Sequence, residues 1–278
     1  SAAGLPGRAE EGRNGLMRWD LFAIMMLLPW LATFGGSLMA ARIRVNAQKG
    51  QGPLLGFAAG VMVAASVWSL IIPAFDEMGT DFRAAAVVSL GFALGCAGML
   101  LLDKLVPHQH MDENSPEGRP SHMSRPMLLV LAVALHNIPE GLALGVVISA
   151  ALQDTGMTWT AAIVFGIGLA LQNFPEGIAV VLPLKQTGST AKRCAWWGFW
   201  ASLAEPAAAV VGIALTSLLT AAGGVVLPIL LSVAAGAMVF ITVEELIPES
   251  QAGGHGHGAT YGFLLGFWLM ALLGILGG

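Results

Sequence analysis

MLLVLAVALHNIPEGLALGVVISAAL, residues 127–152, is almost wholly apolar apart from the cluster His136-Asn137-Ile138-Pro139-Glu140-Gly141 at its centre. It exceeds the roughly 20 residues a helix needs to cross the hydrocarbon core of a membrane. The next apolar stretch, residues 157–184, holds a near copy, Gln172-Asn173-Phe174-Pro175-Glu176-Gly177. Each string sets a carboxylate, a carboxamide and a helix-breaking proline where the surrounding residues demand lipid. A third carboxylate, Glu205, lies inside the following stretch and is also trailed by a proline. An ionisable group within a bilayer costs at least about 2.5–3.5 kcal/mol and is a functional candidate by default. No Lys or Arg occupies the interior of any apolar stretch. The partners left to these carboxylates are protons, other polar groups or a bound metal cation.

Composition agrees with a membrane setting. The chain has 278 residues, 56% hydrophobic and 11% charged, with mean hydropathy +0.74, whereas soluble domains carry about 25% charged residues. The fold class expected is an all-α integral membrane protein. Eight spans are legible, at roughly 20–41, 54–75, 84–106, 127–152, 157–184, 195–222, 224–248 and 259–277. The sixth and seventh are separated only by Ala221-Ala222-Gly223-Gly224, so seven is the alternative count. Residues 1–18 lack an apolar signal-peptide core and read as a disordered tail, with 19–278 as one transmembrane domain. Cys96 and Cys194 form neither a metal spacing nor a disulfide framework. The net charge of −4 gives no reason to expect a nucleic-acid partner.

Lys and Arg in short loops set the orientation. Arg42, Arg44 and Lys49 follow the first span; Lys104, Arg119 and Arg125 follow the third; Lys185, Lys192 and Arg193 follow the fifth. The intervening loops are nearly free of positive charge. The basic set faces the cytoplasm on this reading, which puts both termini outside and makes 107–125 a cytoplasmic histidine-containing loop. Trp19, Trp159, Trp196 and Trp197 fall near span ends, as interfacial anchors do. Five of the six histidines lie in loops on that same side: His108, His110, His122, His255 and His257. Together with Asp103, Glu244 and Glu245 they are either ordinary hydrophilic loop residues or weak metal hand-off sites at an inner exit. Asp76, at the outer end of the second span, is a candidate entrance residue or a plain solvated carboxylate.

The sequence also echoes itself. Ala58-Ala59-Gly60-Val61-Met62-Val63 leads to Leu70-Ile71-Ile72-Pro73 in the second span, and Ala234-Ala235-Gly236-Ala237-Met238-Val239 leads to Leu246-Ile247-Pro248 in the seventh. The second and seventh spans cross in opposite directions, as do the fourth and fifth with their paired strings. This is the pattern of an inverted repeat, an architecture that binds substrate near the midplane on broken helices. Gly56/Gly60, Gly91/Gly95, Gly141/Gly145 and Gly262/Gly266 have the spacing that allows close helix approach.

On a helix, His136 and Gln172 share a face with Glu140 and Glu176 at i, i+4, and Asn137 and Asn173 do so at i, i+3. Pro139 and Pro175 release the carbonyls of Leu135 and Leu171 and are expected to kink the fourth and fifth helices. Freed carbonyls at membrane depth are tolerated where they line a cavity. One imidazole with several carboxylates suits Zn²⁺, and also Fe²⁺, Mn²⁺, Co²⁺ or Cd²⁺. The three glutamates carry three negative charges when ionised, so one divalent ion leaves one negative charge and two leave one positive. Met62 either adds a soft thioether or simply fills the core.

On these residues the chain resembles the ZIP (Zrt/Irt-like) divalent metal transporters, particularly the prokaryotic ones. The resemblance runs from about Trp19 to the end. Its signature is HNxPEG, here His136 to Gly141, with the related fifth-span string at Gln172 to Gly177. Family members often carry His where this chain has Gln172. The resemblance implies a binuclear site, with one metal near Met62, His136, Glu140, Gln172 and Glu176 and a second near Asn137, Glu140, Asn173, Glu176 and Glu205. It also implies uptake of Zn²⁺, with Cd²⁺, Fe²⁺ or Mn²⁺ as related cargo, across a bacterial cytoplasmic membrane. A homodimer and an elevator-like movement of the metal-carrying helices are implied as well, with no cofactor beyond the transported ion and no enzymatic activity. An intramembrane metalloprotease would need HExxH, and His136 is followed by Asn137. A proton-coupled cation antiporter and a metal-selective channel use the same carboxylates and stay open as alternatives.

Overall fold

The computed structural model describes residues 18–42, 47–108, 118, 119, 122, 123, 125–186, 188–220, 223–252 and 256–277. All but Arg18 of the expected tail, and most of the expected 107–125 loop, including His110, lie outside the described residues, as does His255. The described chain is built of helices: α1 (Trp19–Arg42), α2 (Ala47–Ala65), α3 (Ile72–Met78), α4 (Phe82–Leu105), α5 (Arg125–Leu152), α6 (Trp159–Gln186), α7 (Ala191–Ser202), α8 (Ala204–Leu219), α9 (Val226–Ile241), α10 (Ile247–Gln251) and α11 (Gly258–Gly277). Joined end to end where they abut, they make eight helices long and apolar enough to cross a membrane. The eight-span reading holds over seven. Gly223, with φ 139°, and a turn at 224–225 part the sixth span from the seventh.

Three spans are internally broken, and the residues responsible are visible in the sequence. The second passes from α2 through a π-helical turn, Ser66–Ile71, into α3; the seventh passes from α9 through Thr242–Leu246 into α10. Each following helix carries proline in its first turn, Pro73 and Pro248, where a missing N–H is least costly. Each π turn opens on a hydroxyl that donates to the carbonyl four residues back: Ser66 to Met62 at 2.8 Å and Thr242 to Met238 at 2.7 Å. Such back-bonding competes with the helix ladder and loosens it locally. The sixth span breaks at Leu203, between α7 and α8. Pro206 cannot donate to the carbonyl of Ser202, and its ring crowds that group, so α7 ends there. In contrast, α5 and α6 run as unbroken helices through Pro139 and Pro175.

The tightest helix pairs are α1 with α6, α5 with α8, α2 with α11 and α4 with α9. In terms of spans these are 1–5, 4–6, 2–8 and 3–7, so exchanging 1 with 6, 2 with 7, 3 with 8 and 4 with 5 reproduces the set. The register repeats too. Gly60 lies against the Phe263 carbonyl and Gly266 against that of Phe57; Gly236 lies against the Phe92 carbonyl and Gly95 against that of Val233. Two groups of helices result. One gathers α1 and α5 to α8; the other gathers α2 to α4 and α9 to α11. They meet mainly where α6 packs on α2 and α9 packs on α5.

A Cβ at Gly60 would collide with a backbone carbonyl, whereas one at Gly35 meets nothing within 4 Å. Overpacking costs about 1–3 kcal/mol, which for a chain of this size is a fall in melting midpoint of about 2–10 °C. Gly60→Ala is expected to lower the midpoint in detergent by that amount, and Gly35→Ala to leave it unchanged.

Candidate metal site

The paired strings face each other across the α5–α6 contact. Glu140 and Gln172 are joined by a 2.7 Å bond from the Gln172 amide to the Glu140 carboxylate. Glu205 enters from the first turn of α8, where free backbone N–H groups favour negative charge, and it accepts a 2.7 Å bond from Asn173. His136 pairs through Nε2 with Glu245, which arrives from the π-helical turn of the seventh span. Met62 comes from α2, and its sulfur lies 3.5 Å from the Thr242 hydroxyl on that same turn. All of these side chains are buried. Glycines admit the backbones this requires: a Cβ at Gly141 would strike the Glu205 carbonyl, and one at Gly177 the Thr33 carbonyl.

The orientation of the carboxamides is the informative feature. Asn137 donates its amide to the Ala201 carbonyl at 3.1 Å, and Asn173 also donates to that of Pro29 at 3.3 Å. With Gln172 committed to Glu140, all three amides spend their N–H groups on protein acceptors. Their oxygens are left over. Asn137 Oδ1, Gln172 Oε1, Asn173 Oδ1, Glu140 Oε2, Glu205 Oε1 and both oxygens of Glu176 are buried without a hydrogen-bond partner. Unpaired buried polar atoms are rare and costly. On the two strings and Glu205 they are all acceptors, whereas the indole nitrogens of Trp30 and Trp197 and the amide nitrogen of Gln51 are unpaired donors off the strings. Hard oxygen lone pairs with one imidazole and one thioether are the donor types that divalent cations accept. Among the described residues no group of three or more His, Cys, Asp or Glu stands ready-made around one metal position.

The structure thus pairs Glu140 with Gln172 and Asn173 with Glu205, pairs His136 with Glu245, and carries Asn137 and Glu176 on the same strings, one helical turn from Glu140 and Gln172 respectively. Met62 is linked to the rest through the seventh span. Glu245, read from sequence as a loop residue or an exit residue, is buried against His136. The signal for it was present: the seventh apolar stretch, read to residue 248, already enclosed it, three residues ahead of a proline. Glu244 beside it is exposed. Asp103 and His108 lie 3.1 Å apart at the end of α4, with His108 buried and its Nδ1 2.8 Å from the Val106 carbonyl. Asp76 is exposed and borders a cavity of about 280 Å³ between the second, fifth and eighth spans, with Ser69 the other polar side chain on its wall.

Residues 103–274 match the family model described as ZIP Zinc transporter. The chain is similar to the zinc transporter ZIPB of Bordetella bronchiseptica, at 40% identity over 246 residues covering 87% of this chain and 76% of that one. It is 34% identical over 254 residues to the zinc transporter GufA of Myxococcus xanthus, covering 90% and 96%. To the human zinc transporter ZIP11 it is 32% identical over 301 residues, covering 80% and 86%. Family model and full-length similarities coincide on the spans that hold the paired strings, and the chain belongs to the ZIP zinc transporter family.

Proposed function

We propose that the chain carries Zn²⁺, and with it Cd²⁺, Fe²⁺ or Mn²⁺, across the bacterial cytoplasmic membrane into the cytoplasm through a binuclear site. The observation that carries this reading is the group of buried oxygens without donors in spans that contain no Lys or Arg. Charge supports two ions over one. Glu140, Glu176, Glu205 and Glu245 together bear four negative charges when ionised, and two divalent cations bring the site to neutrality with His136 a neutral ligand. One ion takes Met62, His136, Glu140, Gln172 and Glu176; the other takes Asn137, Glu140, Asn173, Glu176 and Glu205. Glu140 and Glu176 bridge.

The division of the bundle supports an elevator. His136, Asn137, Glu140, Gln172, Asn173, Glu176 and Glu205 all ride on the group formed by α1 and α5 to α8, while Met62, Thr242 and Glu245 belong to the other group. Sliding the first group past the second carries the ions away from Met62 and separates His136 from Glu245. The ion enters past Asp76 and leaves past Asp103 and His108, with both termini outside. Two copies form the working dimer.

The test is ⁶⁵Zn²⁺ uptake into proteoliposomes, with bound metal counted on the same protein. Wild type is expected to accumulate zinc, and His136→Ala/Glu140→Ala to match empty liposomes and hold no midplane metal. Uptake that survives this double change would sink the site. Flux locked to a counter-flow of protons would favour an antiporter, and flux at channel rates a channel.

The bridging assignment makes a finer prediction. Glu205→Gln is expected to reduce bound zinc from two ions per chain to one, whereas Glu176→Gln loses both. Equal stoichiometry in the two variants would contradict the shared role of Glu176.

A further inference from the structure

Thr242 is one polar side chain at the site that the proposed ligand set does not use. It is fully buried on the first residue of the seventh span's π-helical turn. Its Oγ1 lies 2.7 Å from the Met238 carbonyl and 3.5 Å from Met62 Sδ. Ser66, at the corresponding place in the second span, makes the same bond to a carbonyl four residues back. The carbonyl bond therefore belongs to the π turn itself, and the approach to a thioether is what Thr242 adds.

A hydroxyl has one proton and two lone pairs, and a thioether is a weak acceptor. The one proton is therefore shared: its main arm is the short bond to the Met238 carbonyl, which limits the rotation of the hydroxyl, and Met62 Sδ at 3.5 Å is the weaker second acceptor. Met has three rotatable side-chain bonds and adapts its shape readily, so a fixed polar neighbour narrows the positions its sulfur takes. One sulfur lone pair faces Thr242 and the other is left for a ligand. Both residues lie in the same group of helices, so the pair persists when the other group moves.

We infer that Thr242 is a positioning residue that aims the Met62 thioether at the cargo and thereby sets the preference for soft over hard divalent cations. The inference rests on the proposed role of Met62 as a ligand. Sulfur favours the softer ion, so the preference for Cd²⁺ over Zn²⁺ reads it directly.

The experiment uses the full chain in liposomes. Competitive Cd²⁺ and Zn²⁺ uptake is measured beside the Cd–S signal in X-ray absorption of the Cd²⁺-loaded protein. Thr242→Val removes the hydroxyl at nearly constant shape. It is expected to lower the Cd²⁺ preference about three- to tenfold, at or below the range for groups that orient a metal ligand, and to weaken the Cd–S signal. Thr242→Ser restores both, and in a Met62→Leu background Thr242→Val changes nothing further. If Thr242→Val fails to fold, Thr242→Ala gives the same comparison. An unchanged preference and Cd–S signal in the Thr242 variants, with both lost in Met62→Leu, overturns the inference and leaves the proposed site standing. No effect of Met62→Leu on either readout removes Met62 from the ligand set, and the inference with it.

Discussion

A helical bundle that buries Glu140, Glu176 and Glu205 with no Lys or Arg among them leaves their charge to be met by protons, the His136 imidazole, polar groups or a bound cation. Stranding an ionised carboxylate in a medium of low dielectric costs several kcal/mol even after relaxation, and seven buried oxygens here have no donor. The rest of the site follows from that constraint. The carboxamides turn their N–H groups toward Ala201, Pro29, Glu140 and Glu205, which fixes their oxygens as acceptors. The proline after Glu205 ends one helix and starts another, placing the carboxylate at a helix N-terminus. The π turn of the seventh span brings Glu245 to His136.

Matching contacts recur on the two paired strings, and the strings differ at one polar position. Asn137 and Asn173 make matching bonds to Ala201 and Pro29, and Gly141 and Gly177 make matching approaches to Glu205 and Thr33. Met62 and Met238 each receive a hydroxyl on their carbonyl. Within that frame, His136 stands where the other half has Gln172, and Glu205 where it has Thr33. The frame supplies rigid close packing and amide oxygens in duplicate. The departures supply the imidazole and the extra charge that make the site unsymmetrical.

Much of this was legible in the residues. Eight apolar stretches gave eight spans, with boundaries displaced by a few residues where helices extend into loops. Both strings, Glu205, and the echo between the second and seventh spans were visible because charge and proline stand out against Leu, Val and Ala. Glu245 lies close to a loop in sequence and so reads as a loop or exit residue; in the structure it sits on the π turn and pairs with His136. The π turns leave no mark in the sequence, since a Ser or Thr four residues after Met is unremarkable until its hydroxyl bonds backward. The partners of the GxxxG glycines were likewise hidden, because spacing gives a close approach without saying to which helix. His108 was grouped with loop histidines, yet it is buried against Asp103.

The central claim is that the unsatisfied oxygens of the two strings are cation ligands. The most direct measurement is the anomalous scattering of crystals grown with Zn²⁺. The account predicts two ions, both coordinated by Glu140 and Glu176 at the carboxylate distance of about 2.0–2.2 Å. Zinc found at loop histidines with none between α5 and α6 would contradict it.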